Sequence, residues 1–478
     1  MDQPSLQHII AQRNKSMSSA LSTSMILAIS LLVIVIWRKR QHTRSSSNDP
    51  AICRKIIAGV LKHIEKQQPN TLSLHQSKAI ANRHLPIAFG IDNAFTRTDN
   101  VHASMFVEKV KPLINLSAEQ WHSVSEFARV TTSRWIEHGF PGLDRSCCSS
   151  SPKDKQKPDC NRVNVASLAQ ILSLKVVLWL MFNKKTQDQT CDENLLDLAQ
   201  SINRVWISSK LKDTGNDIPR FEDDILLQTS LVNIFGTHNS SEDNPLNLIL
   251  PSFETMWRVV LRSFLEIRFG TGKEVPEWRE TMIAFAEKPT KKQFDAASGA
   301  PSSLSIPESS NYPSIVDTRG GQSSPSANYI VRESLRLYVP TRHIHRAYQW
   351  DQGTGTSHEI MSADIEGCHT RSDIWGSDAE RFNPNRWSAL TPAQGDAFMP
   401  FGCPPFECPA KPTFGPRMIG VLVGSLLTAV GGRERLGTWI LDCEDEGVLE
   451  HLSSGKRLCP HRNAYTDLYL VRSLGREE

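Results

Sequence analysis

Three sets of residues have types and spacings that could do chemistry. The first ends in a cysteine. Phe398-Met-Pro-Phe401-Gly402-Cys403-Pro404-Pro405-Phe406-Glu407-Cys408-Pro409-Ala410 is a proline-stiffened loop running into the apolar stretch 413–430. A helix there points the positive end of its dipole at Cys408 and favours the thiolate. An apolar wall around a thiolate suits a ligand of haem iron better than a water-exposed nucleophile; a buried inert thiol is the other reading of the same residues. The second set is an acid beside an alcohol, Glu254-Thr255, inside the apolar run 244–269. Such a pair is costly in an apolar helix unless it is satisfied or used, an exposed polar face being the alternative. Pro251 lacks an N–H, so with Thr255 it can open the helical ladder locally. The third set is electrostatic. Glu333 and Arg336 share a helix face at i, i+3. Phe382-Asn-Pro384-Asn-Arg386-Trp387 is a turn presenting one arginine that can fork onto a carboxylate, with Glu333 as the natural partner.

The elements that must position these residues are mostly helical. From about Ala51 to Leu211 the pattern is helical, and Gln170–Phe182 is apolar enough to be a buried helix. Residues 413–430 read as one apolar helix, and His343 and His345 alternate on a strand as ordinary polar positions. Asp144–Asp159 is a solvent loop by composition; Cys147, Cys148 and Cys160 around it lack the partners of a zinc site. Ala296–Ser326, rich in Ser, Pro and Gly, is an irregular connection. Gly270-Thr271-Gly272-Lys273 lacks the upstream glycine of a phosphate loop.

Composition narrows the class. The 478 residues carry a net charge of +3, and the first 41 hold five basic residues and one acidic, so the remainder is near neutral. That body gives no electrostatic reason to expect a nucleic-acid partner. Ten cysteines are too sparse for a disulfide scaffold. Met17–Trp37 carries no charge and as a helix spans about 31 Å, enough for a bilayer core. A cleaved signal peptide is the rival, but Trp37-Arg38-Lys39-Arg40 stands where a small-residue cleavage site belongs. The basic excess after the span places the body in the cytosol, where thiols stay reduced. The expected organisation is a lumenal 1–16, a transmembrane anchor at 17–37, a basic and polar linker at 38–49 and one catalytic domain at 50–478.

Taken together and in this order, these residues resemble the cytochrome P450 superfamily, the membrane-anchored haem-thiolate monooxygenases, from about Asn244 to the C-terminus. Glu333 and Arg336 match the ExxR pair, and Phe382, Pro384, Arg386 and Trp387 match the FxPxR turn whose arginine completes a structural triad. Phe401 and Cys408 match the first aromatic and the axial cysteine of FxxGxRxCxG. Glu254-Thr255 match the acid–alcohol pair of the oxygen-activating helix, and Arg346 falls where the family has a haem-propionate arginine. The wording of DIWGSDAERFNPNRW and FGPRMIGVLVG looks fungal.

The resemblance implies a mainly α fold with small β-sheets and haem b held through the Cys408 thiolate. It implies oxidation of an apolar small molecule by hydroxylation, epoxidation or oxidative cyclisation, as in fungal secondary metabolism. Electrons would come from NADPH through cytochrome P450 reductase, with cytochrome b5 as a second possible donor, at the endoplasmic reticulum membrane. Glu254 and Thr255 would serve proton delivery; Arg346, Phe401 and Cys408 would hold the haem. Two other readings stay open: a haem-thiolate isomerase or dehydratase that needs no reductase, and a membrane scaffold that kept the fold without the haem. The sequence departs from the family at Pro404 in place of glycine, at Phe406 in place of a propionate-binding Arg or His, and at Ala410 in place of glycine. Ser125 stands where the arginine of a WxxxR pair starting at Trp121 would be.

Overall fold

The apolar run around 170–182 forms the longer helix Val165–Phe182, opened by Asn164, whose side chain accepts from the Ser167 N–H. It is apolar all round and almost wholly buried, as a central helix should be. Its one charge, Lys175, pairs with Asp192 where both are fully buried, and the second Asp192 oxygen accepts from Trp135 Nε1 at 2.9 Å. A computed structural model describes residues 46–60, 69–138, 162–184, 189–211, 218–237, 240–296, 324–351, 356–431 and 438–473. The expected anchor at 17–37, its flanks 1–16 and 38–45, the loop with Cys147, Cys148 and Cys160, and 297–323 of the irregular connection lie outside the described residues.

The described chain is mainly helical with two small sheets. In the first, β3 (His343–Asp351) and β4 (Thr356–Asp364) form an antiparallel hairpin in which Arg346 faces Met361 in register. Its outer strand is β1, Ser46–Ser47, parallel to β4 through Ser46↔Ser362. The expected linker therefore gives way to ordered structure before residue 49; Asp49 caps the helix Pro50–Ala58, which ends at Gly59 with φ 71°. In the second sheet β6 (Leu468–Ser473) lies between β2 (Arg162–Asn164) and β5 (Thr438–Cys443). Among the described residues, two helices, Val165–Phe182 and Phe414–Gly431, are long and apolar enough to cross a membrane. Both are packed inside the protein, so they are core helices here.

Pro251 breaks its helix as its chemistry requires. The run 244–269 splits into Leu246–Ile249, a π-turn over Leu250–Glu254 and the helix Trp257–Arg268. The wide turn places Glu254 and Thr255 at the discontinuity, with the Thr255 hydroxyl donating to Pro251 O at 3.0 Å.

The cysteine loop is carried by Phe414–Gly431, which packs on the helices Pro276–Glu287 and Ala118–His138. Glycines i, i+4 apart make the first contact close. A Cβ on Gly420 would lie 2.8 Å from the Phe285 ring, and one on Gly424 would collide with Met282 O and the Ala286 methyl. Gly424→Val should cost about 2 kcal/mol or more by overpacking. A thermal melt checks it; an unchanged melting temperature would show that the two helices are not in tight contact.

Candidate functional site

The candidate site is built around one buried carboxylate. Glu333, fully buried on the helix Ala327–Leu337, accepts a fork from Arg336: Nη2 to Oε1 at 2.7 Å and Nε to Oε2 at 2.9 Å. Arg386 Nε donates to Oε1 at 3.0 Å, as does the Asn383 N–H at 2.9 Å, and Trp387 Nε1 reaches Oε2 at 3.0 Å. The turn 382–387 thus closes on the helix with three donors, and the structure brings Glu333, Arg336 and Arg386 together as their spacing suggests. Asp378 balances the second guanidinium, accepting from Arg386 Nη2 at 2.9 Å. Arg336 spends its remaining nitrogen on the carbonyls of His369 and Ala379, both at 2.6 Å.

His369 was not singled out by sequence reasoning, and it links this cluster to the cysteine loop. It is fully buried on the short helix Ile365–Thr370. Its Nε2 accepts from the Met399 N–H at 3.0 Å, which leaves Nδ1 as the donor to Arg336 O at 2.9 Å. Trp387 meets Phe398 edge-on at 4.6 Å, so a ring contact and a hydrogen bond fix the residues that open the loop. A lone histidine in a sequence is most often an ordinary core residue, and only its two partners far along the chain distinguish this one.

The loop is a closed turn. The Cys408 N–H donates to Phe401 O at 2.9 Å, Phe406 N–H to Cys403 O at 3.1 Å, and Pro404-Pro405 is cis. Phe401 lies against Gly415, where a Cβ would sit 2.9 Å from its ring. The two loop cysteines have opposite surroundings. Cys403 is 4 % exposed and packs with Cys53, Met399 and Tyr348 beneath the first sheet. The Cys408 side chain is accessible. Surrounding protein nevertheless desolvates it enough to raise its thiol pKa, while the Ala410 N–H directed at the sulfur acts the other way. An accessible sulfur walled by protein and met by a backbone donor is placed to ligate, and Cys403 is not.

Arg346 on β3 is 4 % exposed. It donates to His345 O at 2.8 Å and Ile57 O at 2.9 Å, and its Nε has no hydrogen-bond partner among the described residues. Burial pushes its pKa down to about 10. Such a cation suits a carboxylate-bearing group beside Phe406, whose ring lies 5.0 Å from the guanidinium. With accessible Cys408 as sulfur donor and Arg346 as a buried cation without an acidic partner among the described residues, the residues present fit an anionic haem.

Glu254 is 1 % exposed and forms ion pairs with Arg462, from the C-terminal segment, and with Arg258 Nε at 3.5 Å. Its second oxygen is buried with no hydrogen-bond partner among the described residues. Arg462 was not foreseen either, because it stands 208 residues from its partner. Trp121 is buried and carries Arg417 over its ring at 4.1 Å; Ser125, in place of the WxxxR arginine, donates to Ala286 O and so tethers two helices.

Comparison with known proteins gives short local matches. No family model matches the chain. A cytokinin hydroxylase of Arabidopsis thaliana is 32% identical over 87 residues, 17% of each chain. A cytochrome P450 monooxygenase of Emericella nidulans is 51% identical over 53 residues, 11% of this chain and 10% of its own. A benzoate 4-monooxygenase of Aspergillus niger is 42% identical over 52 residues, 10% of each. The chain spans less than a fifth of the length of these curated relatives. Among solved structures, a 6-coordinated cytochrome P450 from Thermus thermophilus aligns over 86% of this chain and 92% of its own, at 13% identity and a TM-score of 0.45.

Burial pushes the His369 pKa from the ordinary 6.5 down to about 3. The folded protein therefore holds it neutral, while the unfolded chain protonates it below about pH 6.5. Its contribution to stability is complete above that pH and is lost as the pH falls toward 3, by at most about 1.4 kcal/mol per pH unit. Denaturant midpoints at a series of pH values test this. His369→Gln should flatten the acid limb between pH 6.5 and 4; an unaltered limb would show that this imidazole is not held neutral.

Proposed function

We propose that this chain is a cytochrome P450, a haem-thiolate monooxygenase acting on an apolar small molecule of the secondary-metabolite kind. The observation that carries the proposal is accessible Cys408 at the end of a loop fixed to the Glu333–Arg336–Arg386 cluster. The relatives, monooxygenases and hydroxylases over the short matched stretches, agree with it.

Cys408 would hold the haem through its sulfur, with the Ala410 N–H stabilising the sulfur's charge. Arg346 would receive a propionate, and Phe401 would wall the loop side. When bound, the haem supplies the activation of dioxygen for insertion into a C–H bond. The remaining work belongs to side chains. The Thr255 hydroxyl, committed as donor to Pro251 O, keeps its lone pairs to accept from water. Glu254 keeps one oxygen uncommitted while Arg462 and Arg258 hold the other. Together they would pass protons inward from solvent, a general-acid role. Glu333, Arg336 and Arg386 position the loop and touch no reacting atom.

Electrons would come from NADPH through cytochrome P450 reductase, with cytochrome b5 as a further donor. The uncharged stretch 17–37 would anchor the chain once in the endoplasmic reticulum membrane with the catalytic domain in the cytosol.

Membranes containing the protein should show, once reduced and carbon-monoxide-bound, a Soret band at the red-shifted thiolate position. Cys408→Ala should abolish it. A band that survives the substitution would transfer the ligand role elsewhere, and haem-free purified protein would favour a scaffold. Thr255→Ala should lower product formed per NADPH consumed several-fold. Unchanged coupling would reduce Glu254-Thr255 to a structural pair, and turnover that needs no NADPH would point to an isomerase or dehydratase.

A further inference from the structure

Phe406 stands two residues before Cys408, and three basic side chains surround its ring. Lys78 Nζ lies 4.5 Å from the ring centroid, the Arg346 guanidinium lies 5.0 Å from it, and His75 meets it edge-on at 5.3 Å. Lys78 comes from the helix Leu74–Ala81, which a Ser73–Gln76 capping box starts and which packs on β3. Lys78 is 6 % exposed and Arg346 4 %.

Neither cation has an acidic partner among the described residues. The charged neighbour acting on Lys78 is Arg346, another cation, and together with burial it pushes the lysine down to about 8. Buried lysines are normally paired, because removing an ammonium from water costs several kcal/mol. The cation–π contact with Phe406 offsets only part of that cost. Two buried cations beside one ring, with the Arg346 Nε also lacking an acceptor, make a built anion site.

We infer that Lys78 is a haem-propionate-binding residue of this chain, supplying from the helix Leu74–Ala81 the cation that position 406 lacks. This rests on the haem-thiolate reading above. Phe406 then acts as a spacer whose ring holds the lysine and the arginine near one another without neutralising either. The arrangement follows from distant parts of the chain: residue 78 comes to the loop through its helix's packing on β3, so local spacing around Cys408 does not reveal it.

Three proteins test the inference: wild type, Lys78→Met and Lys78→Arg, each prepared without haem and then reconstituted with hemin. Two readouts are independent of activity. One is the melting temperature of the haem-free form; the other is the rate of haem transfer to an excess of apomyoglobin. Lys78→Met should raise the melting temperature, because an unmatched buried charge is gone. It should also speed haem loss by about tenfold, the loss of one charge-assisted hydrogen bond, and Lys78→Arg should restore slow loss. Equal transfer rates in wild type and Lys78→Met overturn the inference while leaving the haem-thiolate reading intact. A Lys78→Met protein that loses haem faster but melts lower without haem also overturns it, since the lysine would then be structural. Wild-type protein that takes up no hemin overturns both readings together.

Discussion

The structure around the candidate site depends on desolvating Glu333. A carboxylate taken fully out of water is tolerable only if its lone pairs are filled, and five donors from Arg336, Arg386, Asn383 and Trp387 fill them. The energetic asymmetry matters more than the net worth of the cluster. Assembled, it contributes modestly; with one partner missing it strands a buried charge at a cost of several kcal/mol. The turn 382–387 therefore has one placement relative to its helix, and what is attached to that turn inherits the placement.

The cysteine loop is so attached, by contacts of different kinds. Trp387 donates to Glu333 with its indole nitrogen and packs Phe398 with its ring. Arg336 binds the His369 carbonyl, and the His369 ring accepts from Met399. Phe398 and Met399 open the loop that closes at Cys408 through Phe401. A chain of satisfied polar groups and aromatic contacts thus runs from a buried acid to an accessible sulfur. Rigidity at the sulfur is the property a metal-ligating thiolate needs, and it is supplied by residues that never approach it.

What was legible in the sequence was local. Glu333 and Arg336 are three apart, the Phe382–Trp387 turn has its own proline, and Pro251 announces the break that becomes a π-turn, so each could be read from its own neighbourhood. Apolar helices over 170–182 and 413–430 were legible for the same reason, and the glycines at 420 and 424 of the second mark the close contact once a partner helix is known. The remainder is non-local. Arg462 meets Glu254 across 208 residues, and Lys78 reaches a loop more than three hundred residues away. Ser46–Ser47 has no strand propensity and becomes a strand only because β4 offers an unpaired edge. Lys175 looks like an error in an apolar helix until Asp192 and Trp135 are beside it.

Buried charge is unevenly compensated across the interior. Lys175 has Asp192, Arg336 and Arg386 have Glu333 and Asp378, and Arg457 and Arg342 share Glu366. Arg262 and Arg417, also buried, donate to backbone carbonyls instead. Around Phe406, Arg346 and Lys78 are both depressed by burial and face each other instead of a carboxylate. Arg258 and Arg462 share the single carboxylate of Glu254, and burial pushes Arg258 down to about 9. The surplus cations at Phe406, two residues before an accessible cysteine, would be stabilised by an anionic group in that place. Occupancy of that kind stabilises the folded state by mass action, so the same charges that weaken the chain alone would bind the group that completes it.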